Sequence, residues 1–143
     1  GTQTFNYNDG GITLNNVTVR QLQKQVGIHH SNGFPWVNLL PSQYYSSNGQ
    51  ANTQYISPNF NAGTIGNLMW LHTPKWINTD LSLNKVIPIY KEYNIKLEGV
   101  FLNAFNHVAW TGFNTGVQST TFATTNGTAN NPRNIEVRAN FDF

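Results

Sequence analysis

The chain has 143 residues, of which only 10% are charged, and its formal net charge is +2. This length corresponds to at most one ordinary domain, and the sparse charge, without a basic cluster, excludes a protein that binds nucleic acid. Cysteine is absent, which excludes a disulfide framework and a thiolate metal site, and no apolar run approaches the ~20 residues of a transmembrane helix.

Amide and hydroxyl side chains supply most of the polarity, since the chain contains 22 Asn and 15 Thr. Such side chains suit the wet surfaces of sheets, and Asn tolerates unusual backbone angles in turns. The sequence begins at Gly1 rather than Met and shows no signal peptide. We therefore expect a processed or excised piece.

The first half of the chain predicts short elements separated by loops. Residues 4–14, TFNYNDGGITL, predict a hairpin around an Asp-Gly-Gly turn. Residues 18–26 predict the one helix, because the apolar residues recur on one face and Thr18 with Gln21 fits a capping box. Residues 31–64 are rich in Pro, Gly and Asn and predict loops with at most short strands.

The second half predicts longer strands. Apolar and polar residues alternate near 77–85, 93–105 and 135–143, with a short connection at 86–92 and a 27-residue Gly/Thr/Asn-rich stretch at 107–133. The sequence therefore predicts an all-β fold of antiparallel strands, with long Asn/Gly/Thr-rich loops and one short helix, over residues 1–143 as a single β-rich segment.

Two environments fit such alternation. Most strands of this pattern belong to soluble sheets with one face on a core. Three features favour a membrane barrel instead: five apolar positions in register on the last strand, alternating short and long connections, and aromatics that bracket the strands as in interfacial girdles. These aromatics are Tyr90 and Tyr93 near the short connection and Phe105 and Trp110 near the long one.

Three motifs in the second half resemble the C-terminal end of TonB-dependent outer-membrane receptors. They are a D-x-S-L-x-K strand at 80–85, an F-N-x-F-N-H strand end at 101–107 (with one extra residue) and a final N-P-R strand at 131–143 that closes on Phe. The similarity is closest to the Oar-like receptors that carry a carboxypeptidase-regulatory-like domain. An upstream stretch, from TVRQLQKQVG to QYISP, also resembles this family, so the likeness covers nearly the whole chain.

The resemblance implies a role for the last strand. In this family, an alternating strand with a final aromatic resembles the signal that the barrel-assembly machinery reads. The residues that match this signal are Ile135, Val137, Ala139, Phe141 and Phe143. The alternation itself predicts that these five side chains face lipid and that Glu136, Arg138, Asn140 and Asp142 face the lumen.

Two functions remain open. The five to seven candidate strands are fewer than the ~8 of the smallest membrane barrels, and no plug or TonB-docking segment is present. We favour a structural subunit that pairs strands with other copies of itself in an extracellular filament or oligomer, with neighbouring copies holding residues 107–133 in place. The alternative is the last part of an intact TonB-dependent uptake barrel in the outer membrane of a diderm bacterium.

Other chemistries find little support in the sequence. His29 and His30 are adjacent, so in a strand they point to opposite faces and make a shared metal site improbable. Asp80 and Glu98 lie on polar strand faces, where Lys85 or Lys96 could pair with them. No nucleophile, phosphate-binding or zinc motif occurs. We expect no enzyme activity, no cofactor and no metal.

Overall fold

The computed structural model describes residues 1–5, 10–30 and 36–143. Its regular structure consists mainly of strands in antiparallel sheets, so the all-β prediction is confirmed. In these ranges, no helix has both the length and the apolar character needed to cross a membrane. The elements in chain order are β1 (Thr2–Phe5), β2 (Ile12–Leu14), α1 (Val19–Gln25), β3 (His29–His30), β4 (Val37–Asn38), a 3-10 helix (Ser42–Tyr44), β5 (Ile56–Pro58), β6 (Met69–His72), β7 (Leu81–Tyr90), β8 (Tyr93–Leu102), β9 (Trp110–Thr111), β10 (Thr124–Thr125), β11 (Gly127–Thr128) and β12 (Asn134–Asp142).

The chain divides into two compact units. The first contains Gly1–Lys75 and Trp110–Gly127, and the second contains Trp76–Ala109 and Thr128–Phe143. Each unit therefore combines segments that are distant in sequence. That residues 1–143 form a single β-rich segment therefore stays a prediction.

The helix of the first unit begins where the capping box predicts. The Thr18 hydroxyl accepts the backbone N–H of Gln21 at 3.2 Å, and the Gln21 side chain accepts the N–H of Thr18 at 2.8 Å. These two bonds satisfy donors that the first helical turn would leave unpaired. Within the helix, Leu22 is fully buried and anchors α1 on the core.

The strands of the first unit pair differently from the sequence prediction. β1 pairs with β6 and β2 pairs with β5, so the hairpin predicted over 4–14 is wrong. Residues 6–9 of that prediction, which include the Asp of the predicted turn, lie outside the described residues. β4 lies between β3 and β10, and β9 pairs with β11. The predicted loops with short strands over the described part of 31–64 agree with these elements.

A hydrophobic core holds the first unit together. It includes side chains from the helix, from the short strands and from the stretch after β9, which contributes Phe113, Val117 and Phe122. We expected neighbouring copies to hold the long 107–133 stretch in place. Burial of these three side chains orders its 110–127 part within the chain itself, so neighbouring copies are not needed for that order.

Tyr45 links two segments beside this core. Its hydroxyl accepts the N–H of Leu40 at 3.3 Å and donates to the carbonyl of Ala123 at 3.4 Å. Burial raises the pKa of the phenol, since a phenolate there would lose its hydration. The hydroxyl therefore stays protonated near neutral pH and keeps its donor role.

The second unit is built on a three-stranded antiparallel sheet in the order β12-β8-β7. β8 is the central strand and pairs with β12 along nearly its whole length, from Asn134 opposite Leu102 to Asp142 opposite Asn94. The alternating segments of the sequence did predict this sheet, but their bounds differ. The strand predicted at 77–85 runs from Leu81 to Tyr90, and the strand predicted at 93–105 ends at Leu102.

Two backbone features explain the shifted bounds. The connection predicted at 86–92 is a turn of only Lys91 and Glu92, because Pro88 lies within β7 and does not end it. Proline is tolerated on an edge strand, and the register of β7 against β8 shifts between Pro88 and Tyr90. At the other end, Asn103 takes a positive φ of 49°, which ends β8.

Candidate membrane-contacting surface

The register of the sheet places the alternating residues on two distinct faces. Ile87, Ile95 and Phe141 share one row, and Leu83, Gly99 and Val137 share another. We call this side the apolar face, and its members on the three strands are Leu81, Leu83, Lys85, Ile87, Tyr93, Ile95, Leu97, Gly99, Phe101, Ile135, Val137, Ala139 and Phe141. The sequence predicted this grouping correctly for β8 and β12, because a period of two fixes which side chains share a side.

The described residues of the second unit leave the apolar face uncovered. Leu83 is 67% exposed and Val137 is 74% exposed, and the adjoining Phe143 is 92% exposed. Soluble monomers rarely expose a contiguous apolar patch of this extent. The face therefore requires an apolar environment that the described residues do not supply.

The strands have the length that a bilayer requires. β7 and β8 contain 10 residues each and β12 contains 9. At ~3.4 Å per residue each strand is about 30 Å long. Tilted by about 40°, such a strand covers the ~25 Å apolar band of outer-membrane barrels.

The opposite side of the sheet, which we call the charged face, contains an ion-pair network. Lys96 pairs with Asp142. Arg138 lies 2.8 Å from Glu136 and 3.8 Å from Glu98. The side chains are half-exposed, so each pair adds little stability. The network shows instead that this side of the sheet is polar, as the alternation predicted.

Two carboxylates have partners other than the predicted ones. Glu98 faces Arg138 across the register and not Lys85 or Lys96. Asp80 accepts a backbone N–H of Asn103, and among the described residues it forms no ion pair with a lysine. The prediction considered only β7 and β8, whereas the charge nearest to Glu98 comes from β12 and the partner of Asp80 is a backbone group at the end of β8.

The structure also places Lys85 on the apolar face, opposite Leu97. It is the one charged residue there among the described strands. Its aliphatic stem can follow the apolar surface while the ammonium group reaches toward water.

The aromatic residues that the sequence singled out occupy different places. Tyr90 and Tyr93 lie opposite each other beside the β7–β8 turn. Tyr93 stacks on Phe141 with ring centroids 6.1 Å apart, and Phe141 lies 6.1 Å from Phe143. These three rings in contact, together with Tyr90 opposite Tyr93 in the register, make up what we call the aromatic cluster at the turn end of the sheet.

The other two aromatics are separate from that cluster. Phe105 lies three residues beyond β8 and is 75% exposed. Trp110 belongs to the first unit, where it packs partly buried against the core. The interfacial role of the four predicted aromatics stays a prediction, as does the assembly-signal role of the last strand. Ile135, Val137, Ala139 and Phe141 do share the apolar face.

A cluster of hydrogen bonds around Asn103 connects three segments at the end of the sheet away from the β7–β8 turn. The N–H of Asn103 donates to Oδ1 of Asp80 at 2.8 Å. Its Nδ2 donates to the carbonyls of His107 at 3.1 Å and Asn131 at 2.9 Å, and its Oδ1 accepts the N–H of His107 at 3.0 Å. Asn103 is only 5% exposed. We call Asp80, Asn103, His107 and Asn131 the Asn103 cluster.

Sequence reasoning did not find the Asn103 cluster, although its members lie in the three motifs at 80–85, 101–107 and 131–143. Asn103 is one of 22 asparagines, and nothing in its local pattern sets it apart. The signal that was available is positional: an Asn directly after a strand is suited to a positive φ.

No metal centre is evident in the described ranges, where no group of three or more His, Asp or Glu side chains is close enough to hold an ion. His72 instead shares a hydrogen bond with the Thr2 hydroxyl, and His29 with the carbonyl of Gln25. The sheet of the second unit therefore has an apolar face suited to contact with lipid and a charged face on its other side.

Comparison with known proteins agrees with this geometry. The family model described as an outer membrane beta barrel domain matches residues 2–136. No curated protein and no solved structure shows a significant match to the chain. The match confirms the barrel and outer-membrane part of the predicted resemblance and indicates an outer-membrane protein of a diderm bacterium. The chain belongs to the outer membrane β-barrel domain family.

Proposed function

We propose that β7, β8 and β12 form part of the wall of a TonB-dependent outer-membrane barrel that imports a ligand. The apolar face contacts lipid, and the charged face lines the lumen. The observation that carries the proposal is the continuous apolar face on strands of membrane length, backed by an ion-pair network. The proposal assigns the chain a structural and transport role without catalysis.

The contacts of Asn103 support the TonB-dependent type. The three motifs that resemble these receptors are far apart in sequence, yet a residue from each takes part in the Asn103 cluster. The three motifs are thus joined in the structure by hydrogen bonds. A resemblance carried by interacting residues is stronger support than three separate matches.

The lengths of the connections between the strands support one orientation of the sheet across the membrane. The β7–β8 turn has two residues, whereas 31 residues separate the end of β8 from the start of β12. In outer-membrane barrels the short turns lie on the periplasmic side and the long connections outside. The aromatic cluster of Tyr90, Tyr93, Phe141 and Phe143 then lies at the periplasmic interface, where aromatic rings are favoured.

Labelling at two neighbouring positions tests whether the apolar face contacts lipid and the charged face contacts water. The chain contains no cysteine, so Val137→Cys and Arg138→Cys each provide a unique site on opposite faces. In protein refolded into phospholipid vesicles, we expect a fluorophore at position 137 to be quenched by a lipid-borne nitroxide and one at position 138 by aqueous iodide. Equal quenching of the two sites by either reagent would refute the lipid-facing assignment.

Self-assembly through strand pairing is the second candidate function. β7 and β12 each have one edge that pairs with no strand in the described ranges. Unpaired edges invite another strand, and β12 contains no proline to prevent it. Copies that exchanged strands end to end would build an extracellular filament, because a head-to-tail contact that does not close continues.

Light scattering and electron microscopy of the purified protein without lipid test this candidate. If the edges of β7 and β12 pair between copies, we expect polymers that persist on heating, since most backbone hydrogen bonds would then be internal. Protein that assembles only when membrane is supplied would eliminate the filament and leave the barrel wall.

A further inference from the structure

A pocket of about 620 Å³ lies in the second unit, at the end of the sheet away from the β7–β8 turn. Its volume falls within the range of roughly 300–1,000 Å³ that ligand sites occupy. Leu102 and Asn134, which face each other in register, line it from the charged face. In the proposed barrel the pocket therefore borders the lumen.

The walls of the pocket are fixed by hydrogen bonds. The Asn103 cluster joins the segment before β7, the end of β8 and the segment before β12. The Asn130 side chain adds to it, since its Oδ1 accepts the N–H of Ala109 at 2.9 Å and its Nδ2 donates to the carbonyl of His107. A pocket held in this way loses little conformational entropy when a ligand enters.

An exposed indole and several amides supply the chemistry of the pocket. Trp76 lines it with 65% of its surface exposed and is not among the residues of the hydrophobic core. Asn78, Asn131 and Asn134 line it as well. A primary amide both donates and accepts hydrogen bonds, as does a sugar hydroxyl. An indole offers a broad apolar face with a polar edge, which suits the C–H face of a pyranose ring.

The charges of the pocket favour a neutral ligand. Asp80 and Arg133 both line it, so their formal charges cancel. Oδ1 of Asp80 already accepts hydrogen bonds from Asn103 and Asn78, which leaves Oδ2 to accept a hydroxyl. Arg133 forms no ion pair within the part of the chain that the structure describes, so its N–H groups can donate to hydroxyl oxygens.

We propose that this pocket binds a neutral oligosaccharide, with a pyranose ring stacked on Trp76 and its hydroxyls bonded to the amides, Asp80 and Arg133. The inference deepens the proposed import function and rests on it for its biological meaning, because it names the class of ligand that the barrel takes up. Binding itself is measurable without transport.

The test is calorimetric titration of the refolded protein with linear glucose hexamers of α-1,4, β-1,4 and β-1,3 linkage. We expect at least one neutral hexamer to bind and Trp76→Ala to weaken that binding by about tenfold or more, as for other aromatic anchors. Trp70→Ala is the matched control, since Trp70 is 60% exposed but lies in β6 of the other unit, outside the pocket. We expect that variant to bind as the parent does, and Trp76→Tyr to retain part of the affinity.

Three outcomes would overturn the inference: no binding of any neutral hexamer, equal effects of the two alanine substitutions, or tighter binding of a galacturonate hexamer than of every neutral one. The proposed barrel wall has its own readout in the quenching of labels at positions 137 and 138. A protein that shows the expected quenching but binds no hexamer would remove the oligosaccharide site and leave the wall standing.

Discussion

Replacing Asn103 with Ala is expected to lower the free energy of unfolding by about 4 kcal/mol. The substitution removes three part-buried side-chain hydrogen bonds, at a cost of about 1 kcal/mol each, and deprives the N–H of His107 and the carbonyl of Asn131 of their partner on Asn103. It also forces alanine to a positive φ of 49°, which costs about 1 kcal/mol. Urea titration of the refolded protein, followed by tryptophan fluorescence, measures the loss.

Asn106→Ala is the matched control for this loss. Asn106 lies in the same segment and has a similar φ of 51°, but it is exposed and its side chain accepts only one hydrogen bond, from the N–H of Arg133 at 3.3 Å. We expect a loss of about 1–2 kcal/mol from the backbone strain and this one bond. Asn103→Gly separates the two terms, because glycine adopts a positive φ freely and lacks only the side chain. Equal losses at positions 103 and 106 would contradict the central role of the Asn103 cluster.

The elements that the sequence predicted well are those whose signal is local. The capping box of Thr18 and Gln21 needs only residues three positions apart, and the structure places the helix start there. The alternation of β8 and β12 likewise specifies which side chains share a face before any partner is known. Local chemistry therefore predicted the polarity of the surface that we assign to the membrane.

The elements that the sequence mispredicted depend on distant partners. β1 pairs with β6 although an Asp-Gly-Gly turn suggested a nearer partner. The connection predicted at 86–92 contains Pro88, but this residue lies in an edge strand of the sheet, where proline is tolerated. Asp80 and Asn131 lie 51 positions apart and meet through Asn103. Such pairings follow from packing over the whole unit, which a pattern of neighbouring residues does not encode.

A lysine at position 137 is expected to destabilise the membrane-inserted protein by about 2–4 kcal/mol, the cost of a cation on the lipid face of a barrel near the midplane. Val137 is in the row of Leu83 and Gly99, away from both ends of the sheet. The ammonium group of such a lysine either remains in hydrocarbon or reaches water only if the side chain extends far along the strand. Unfolding titrations in phospholipid vesicles, with heat-dependent gel mobility as a second readout, measure the effect.

Val100→Lys is a matched control at nearly the same depth, because Val100 pairs with Glu136 and adjoins the row of Val137. Its side chain lies on the charged face, so the same substitution places the new cation beside a carboxylate and toward the lumen. We expect a change of less than about 1 kcal/mol, since an exposed ion pair contributes little in either direction. If lysine at position 100 costs as much as lysine at position 137, the two faces are not in different environments and the sheet is not a barrel wall. A large cost at position 137 alone requires an apolar medium against one face and water against the other, which is the condition of a strand in an outer-membrane barrel.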